Sequence, residues 1–321
     1  MDTAVFLDLV DEVLLGVGRP PLDRKSAQPA IITVDDTDQV LQILAGPGSG
    51  KTEMLVWRML YELVVRGTSA ERVLITTFTR KAATELEVRV VERLDALLLA
   101  AKKRGIDLPD PHVHDVHIGT IHSLCDRLLR EFDSDYMAEG AELIDEYQTA
   151  VRLARQYRWT LGFESRHGQP PRLVNRLIDR EMLTALFRAP WDGDRWPGNN
   201  MDRVAYVRAL LDQHTETWLP RCGTTTALNG VEATAGSSGA TADLIELHEK
   251  WMEYLEEQGV MDFASIQERF LEGQATVAKE IDHVFVDEFQ DTNPIQLAIH
   301  TGWLEHVGTR LTVVGDDDQA A

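Results

Sequence analysis

The segment AGPGSGKT, Ala45 to Thr52, follows the apolar run Val40–Leu44 and opens EMLVWRMLYELV, whose apolar positions have helical spacing. A strand that feeds a glycine-rich turn at the start of a helix leaves few alternatives for the local fold. Without Cβ atoms, the glycines let backbone N–H groups crowd around an anion, and the helix start adds the positive end of its dipole. The stretch therefore predicts a phosphate-binding loop built from Ala45, Gly46, Pro47, Gly48, Ser49, Gly50, Lys51 and Thr52. Lys51 is expected to reach the β- and γ-phosphates of ATP, and Thr52 to place its hydroxyl on Mg²⁺. Ala45 stands where the general pattern has glycine, so the loop depends on Gly46, Gly48 and Gly50. A chance glycine turn would lack both flanks.

A nucleotide loop of this kind needs a second group to hold the metal and activate water. HVFVDEFQDTN, His283 to Asn293, supplies one: an apolar strand ends at Val286 and delivers Asp287 and Glu288 side by side. Asp287 is assigned to Mg²⁺ and Glu288 to the catalytic base, with Lys51 as a further catalytic group. A lone Asp-Glu pair would read as a solvated turn; the apolar strand before it and the loop upstream argue against that.

Apolar, β-rich runs recur at Val40–Leu44, Val73–Thr77, His283–Val286 and Leu311–Val314, and helical patterns lie between the first two. Such alternation predicts an α/β fold with a parallel sheet covered by helices. The stretch from about Glu142 to Gln258 is Leu-, Arg- and Trp-rich, with helical spacing and no convincing strand. Within it, Gly223–Ala242 is small, polar and low in complexity, the composition of a flexible loop. The expected organisation is one α/β domain split in sequence, residues 1–125 and 262–321, around an all-helical insert at 126–261.

Composition excludes several classes. The N-terminal MDTAVFLDLVDEVLLGVG carries acids where a secretory signal carries Lys or Arg, and reads as a short amphipathic helix. No apolar run reaches membrane-spanning length. The two cysteines, Cys125 and Cys222, have no metal or redox spacing and fit free thiols in a reducing compartment, so a cytoplasmic protein with no membrane partner is expected. The formal net charge of −21 is awkward for binding phosphates, but net charge governs solubility and steering more than it governs a local groove.

Taken in order, AGPGSGKT, TTFTRKAATEL, GTIHSLCDRLL, VDEFQDTNPIQL and VVGDDDQA resemble the motif series of the UvrD/Rep/PcrA-like helicases of superfamily 1, over Gln28 to Ala321. The resemblance implies a P-loop, RecA-like fold with a helical insert, ATP and Mg²⁺ as cofactors, and stepping along single-stranded DNA, usually 3′ to 5′. It implies that Gln319 senses the γ-phosphate, that Gln290 and Asp291 support that coupling, and that Gln28 reads the adenine. Glu53 departs from the family's usual Arg after GKT. The resemblance also places TFTRKAATEL on the DNA track. Phe78 would stack on a base, and Thr79, Arg80 and Lys81 would contact phosphate or sugar. Thr120 and His122 would belong to a second DNA-contacting motif. The alternative for Phe78 is a core side chain, and for His122 a structural one. MDFAS, Met261 to Ser265, resembles a family segment of undefined role.

The partners so implied are single-stranded DNA, or a single/double-strand junction, and a second RecA-like domain, which would follow an aromatic- and arginine-bearing segment beyond the final VVGDDDQAA. A truncated, non-catalytic nucleotide- or DNA-binding remnant is the alternative to a motor; another P-loop enzyme fits TFTRKAATEL and DEFQDTN poorly. Between Val151 and Arg208, 11 arginines and no lysine face 6 acids, with Arg172, Arg176 and Arg180 on one helical face and Tyr157, Trp159, Trp191 and Trp196 interleaved. That stretch is either a DNA-contacting arm or a solvated face over a Trp-containing core. His112, His114 and His117 read as an extended segment rather than a metal site, since no cysteine joins them.

Overall fold

The computed structural model describes residues 1–34, 39–46, 48–140, 142–156 and 250–316. The arginine- and tryptophan-bearing stretch from residue 157 onward, the Gly223–Ala242 segment, Cys222, Pro47 and Gln319 lie outside them.

Five parallel strands form the main sheet: β1 (Val40–Leu44), β2 (Val73–Thr77), β3 (His117–Thr120), β6 (His283–Val286) and β7 (Arg310–Gly315), in the order β1-β7-β6-β2-β3. Four of these are the expected runs, the last longer by one residue at each end. The fifth, β3, was not expected as a strand, because HIGT is short and flanked by polar residues. The HVHDVH segment before it is not extended throughout. His112 adopts a left-handed φ of 53°, and Val113–Asp115 form a single 3₁₀ turn, so only His117 enters the sheet. His117 is buried there, with its Nε2 2.9 Å from the Glu71 carbonyl oxygen. No three His, Cys, Asp or Glu among the described residues gather to hold a metal ion.

Helix α3 (Lys51–Val64) is buried along nearly its whole length, from Glu53 to Val64. Leu55, Met59 and Leu60 are fully enclosed, each worth roughly 1.5–3 kcal/mol on removal from water. A helix enclosed on all sides has to satisfy its own charges. Arg58 does so by donating Nη1 to the carbonyls of Ile31, Ile32 and Val34, at the open C-terminal end of α2 (Gln28–Thr33). Arg66 adds a bond to Val34 O at 2.8 Å. Glu62 takes Arg310 Nη2 at 2.7 Å and Arg66 Nη1 at 3.2 Å. Burial opposes its charge, but the hydrogen bonds and charges of His283 and Arg310 prevail, and its carboxyl is held down at about 2.

The N-terminal helix α1 (Thr3–Gly16) is capped by Asp2, whose carboxylate accepts the Ala4 N–H. It buries Phe6, Leu9, Val10 and Val13, and the Phe6 ring meets Tyr61 edge-on at 5.4 Å between centroids. It packs along α4 (Arg80–Lys103). No helix among the described residues is long and apolar enough to cross a membrane.

The chain separates into two compact units. The first comprises Met1–Leu128, Gly273–Thr292 and Ile299–Ala321; the second, Leu129–Glu272 and Asn293–Ala298. The first unit holds the sheet. In the second, two short strands that the helical pattern concealed, β4 (Glu142–Leu143) and β5 (Val260–Met261), pair in parallel. MDFAS opens the helix α8 (Phe263–Ala278): Asp262 Oδ1 accepts the Ser265 N–H at 2.9 Å, and Ser265 Oγ accepts the Asp262 N–H at 3.0 Å. This reciprocal cap, with Trp251 Nε1 donating to Asp262 Oδ2 at 2.9 Å, gives that segment a structural role.

Candidate nucleotide-binding site

Because all five strands run the same way, their C-terminal ends share one edge of the sheet, where open α/β sheets bind ligands. The registers Leu44 with Gly315, Val286 with Val313 and Thr77 with Thr120 bring the following turns together. Those turns carry the candidate residues.

Gly48 and Gly50 have φ of 74° and 86°, left-handed values that only glycine adopts without strain. They turn the loop so that α3 begins at Lys51. Lys51 Nζ donates to the Ala45 carbonyl at 2.7 Å and lies 3.3 Å from Asp316 Oδ2. Thr52 Oγ1 donates to Asp287 Oδ2 at 2.9 Å. Asp287 is itself placed by the sheet, its N–H donating to Thr76 O at 2.9 Å. Burial pushes the Asp287 carboxyl above the usual carboxylate range, against the pull of the Thr52 hydroxyl, the Glu288 N–H and the charges of Lys51 and Arg89.

That imbalance is a test of fit for Mg²⁺. A buried carboxylate whose negative charge is under-compensated, with a hydroxyl oxygen beside it, is a pair of hard oxygen donors suited to a divalent cation. Asp287 and Thr52 would hold it.

Glu288 breaks the strand with φ of 56°, a left-handed value unusual for a residue with a side chain, and Phe289–Asp291 continue as a 3₁₀ turn. Its carboxyl remains exposed, yet partial withdrawal from water and the negative charges of Asp287 and Asp291 raise its pKa. A carboxylate made more basic in this way suits proton abstraction.

Sequence reasoning passed over two residues here. Asp316 is buried against Lys51, and Gln290 Oε1 accepts the Asp316 N–H at 3.0 Å. In the run of three aspartates in VVGDDDQA, nothing in the pattern marks Asp316 as a buried residue. Glu53, noted only as a departure, is also buried: Arg93 Nε meets it at 2.6 Å and Arg19 Nη1 at 2.8 Å. The acid is thereby absorbed into the packing of α3 on α4.

Gln28 begins α2, and its Oε1 accepts the Asp23 N–H at 3.0 Å. On the β2 side of the edge, Phe78 is 57% exposed. Thr79 caps α4 by accepting the Ala82 N–H at 3.1 Å, while Arg80 and Lys81 lie exposed on its first turn. Thr120 is buried, its hydroxyl bonded to Ser123 at the start of α5 (Ile121–Phe132), and His122 is half-buried.

Comparison with known proteins agrees with this geometry. The family model described as the UvrD/REP helicase N-terminal domain matches residues 25–321. Among similar proteins are the ATP-dependent DNA helicase SRS2 of Saccharomyces cerevisiae, 26% identical over 89% of this chain and 22% of its own length, and DNA helicase II of Escherichia coli, 27% identical over 87% and 32%. The ATP-dependent DNA helicase UvrD1 of Mycobacterium bovis is 26% identical over 87% of the chain and 31% of its own length. The chain thus spans about a third or less of these relatives. With a family match covering most of its length, on the parallel sheet and phosphate loop described above, the chain belongs to the UvrD/REP helicase N-terminal domain family.

Proposed function

We propose that this chain is the ATP-binding motor domain of a cytoplasmic DNA helicase or single-stranded DNA translocase, stepping 3′ to 5′ and working with a second RecA-like domain. The observation that supports this reading is the 2.9 Å contact of Thr52 with Asp287 near Lys51, residues that would form the two halves of a Mg-ATP site. The loop residues Ala45, Gly46, Pro47, Gly48, Ser49 and Gly50 wrap the phosphates, and Lys51 neutralises the β- and γ-phosphate charge. Mg²⁺ held by Asp287 and Thr52 would supply charge neutralisation at the β- and γ-oxygens. Glu288 orients a water and takes its proton. Gln319 is assigned to γ-phosphate sensing. Gln28 is assigned to the base through its carboxamide nitrogen, since its oxygen is on Asp23 N–H.

Phe78, Thr79, Arg80 and Lys81 form the exposed part of the DNA track, and Thr120 and His122 belong to a second DNA-contacting motif. Stacking on Phe78 is indifferent to sequence, as a translocating motor requires. The same reading divides the chain into a motor domain at 1–125 and 262–321 and an insert at 126–261. Calorimetric titration of Mg-ATP tests the site. The chain should bind, and Lys51→Ala should abolish binding because the charge that meets the phosphates is gone. Equal affinity in the variant would remove the site from this loop.

A further inference from the structure

Asp316 has no part in the reading above, yet it is among the least exposed charged groups at the strand edge. Its side chain is 2% exposed and lies 3.3 Å from the Lys51 ammonium, which is itself 16% exposed. Two features hold it there. Gly315 bonds to the phosphate loop through its carbonyl, which accepts the Ala45 N–H at 3.3 Å. The Asp316 N–H donates to Gln290 Oε1 at 3.0 Å, in the turn that follows Glu288. A Cβ at Gly315 would sit 3.3 Å from Gln290 Oε1, close enough that the glutamine side chain would have to give by a few tenths of an ångström.

A carboxylate and a phosphate are both oxyanions, and Lys51 is the cation either would take. An ammonium largely withdrawn from water without a counter-ion is costly, and Asp316 compensates it. When a nucleotide arrives, two anions face one lysine. We propose that Asp316 is a positioning residue of the nucleotide site: its carboxylate holds the Lys51 ammonium in the phosphates' stead, and nucleotide binding draws that ammonium from carboxylate to phosphate. This rests on the reading of Lys51 as the phosphate-binding lysine. The carboxylate keeps Lys51 directed into the loop while no phosphate is present, and it lowers nucleotide affinity by competing for the same charge. Because its backbone is tied to Gln290, release of Lys51 is also felt in the turn that carries Glu288.

The test is direct titration of the chain with Mg-ATP. Asp316→Asn, which keeps the shape and removes the charge, should bind roughly three- to tenfold more tightly, the scale of one charge contact in a partly buried site. Asp316→Glu should return affinity toward that of the wild type. Unchanged or weaker binding by Asp316→Asn would overturn the proposal, since the carboxylate would then be neutral to binding or an aid to it. A second measurement uses thermal unfolding without nucleotide. Lys51→Ala should lower Tm by stranding a buried carboxylate, and Asp316→Asn on that background should raise it again. Equal effects of Asp316→Asn in both backgrounds would count against the pairing. A wild-type chain that binds no nucleotide overturns both this proposal and the reading it rests on; nucleotide binding indifferent to Asp316 overturns this one alone.

Discussion

The hydroxyl of Thr52 and the carboxylate of Asp287 meet at 2.9 Å across 235 residues of sequence. One belongs to the first turn of α3 and the other to the end of β6. Their distance therefore measures how the helix after the phosphate loop sits on the sheet.

The division of labour proposed for the two neighbouring acids is testable in a protein that joins this chain to a second RecA-like domain. Glu288→Gln should retain Mg-ATP binding and lose most turnover, at least about 100-fold, because shape and a hydrogen bond remain but the base is gone. Asp287→Asn should weaken Mg²⁺-dependent nucleotide binding. The raised pKa of Glu288 sets the sign of the pH effect: the base is protonated as pH falls through that raised value, so turnover should fall sooner on acidification than an ordinary glutamate would impose. Equilibrium binding and steady-state turnover, measured side by side, check this. Two variants alike in binding would undo the assignment.

On the DNA side, removing Phe78 should cost ~1–3 kcal/mol of single-strand affinity if one base stacks on it. Arg80→Ala should reduce affinity for all sequences alike and flatten the salt dependence, because one phosphate contact fewer releases fewer counter-ions. Fluorescence titration of a labelled oligonucleotide over a salt series reads both quantities. A salt slope and affinity both untouched by Arg80→Ala would move the track elsewhere, and the Arg-rich stretch after Val151 would be the next place to look.

Glu53 separates a buried ion pair from an exposed one around a single carboxylate. Arg93 is 9% exposed and Arg19 is 49% exposed. Glu53→Ala strands the Arg93 charge and should cost ~3–5 kcal/mol. Arg19→Ala should cost no more than about 1 kcal/mol, since water screens that partner. Pairing Glu53→Leu with Arg93→Met should recover most of the loss. Denaturant unfolding of the three variants gives the comparison, and an Arg19→Ala loss as large as that of Glu53→Ala would contradict it.

His300 predicts acid sensitivity. It is buried in the helix Pro294–Gly302 (α9), and burial pulls its pKa from 6.5 down to about 4. A histidine with a depressed folded pKa must stay neutral to stay buried. Its contribution is fully present above about pH 6.5 and is lost as pH falls toward 4, at most about 3 kcal/mol. His283 acts in the same direction, because burial lowers it to about 4 as well. Glu62, held at about 2, loses its contribution only at lower pH. His300→Leu should therefore flatten the decline of Tm between pH 7 and pH 4.5 without abolishing it. An unchanged pH profile in the variant would place the sensitivity on other groups.

Much of the local geometry of the candidate nucleotide site was legible in the sequence because its rules are local. A strand, a turn needing left-handed glycines and a helix start fit within a dozen or so residues, and an acid that ends an apolar run marks itself. Contacts that span elements leave no such trace. Glu53 reads as an anomaly until α4 brings Arg93 to it, and Asp316 sits in a run of identical residues until the end of β7 sets it beside Lys51. The strand β3 was missed because its four residues lean on neighbours for burial rather than on an apolar pattern of their own. The helix-start bonds of the Thr79 and Thr120 hydroxyls, to Ala82 N–H and Ser123, likewise had no separate mark in the motifs that carry them.

Strand β1, which introduces the phosphate loop, pairs only with β7 among the described strands, and its side chains Val40 and Leu44 are 47% and 55% exposed. No described strand covers its outer side, and a strand edge flanked by apolar groups is the kind of rim onto which another extended polypeptide can zip. A rim left uncovered would favour self-association that grows with concentration, starting on the strand that leads directly into the Ala45–Thr52 loop. A charged residue placed at Val40 or Leu44 would act as a gatekeeper there while leaving the turn from Ala45 to Thr52 untouched.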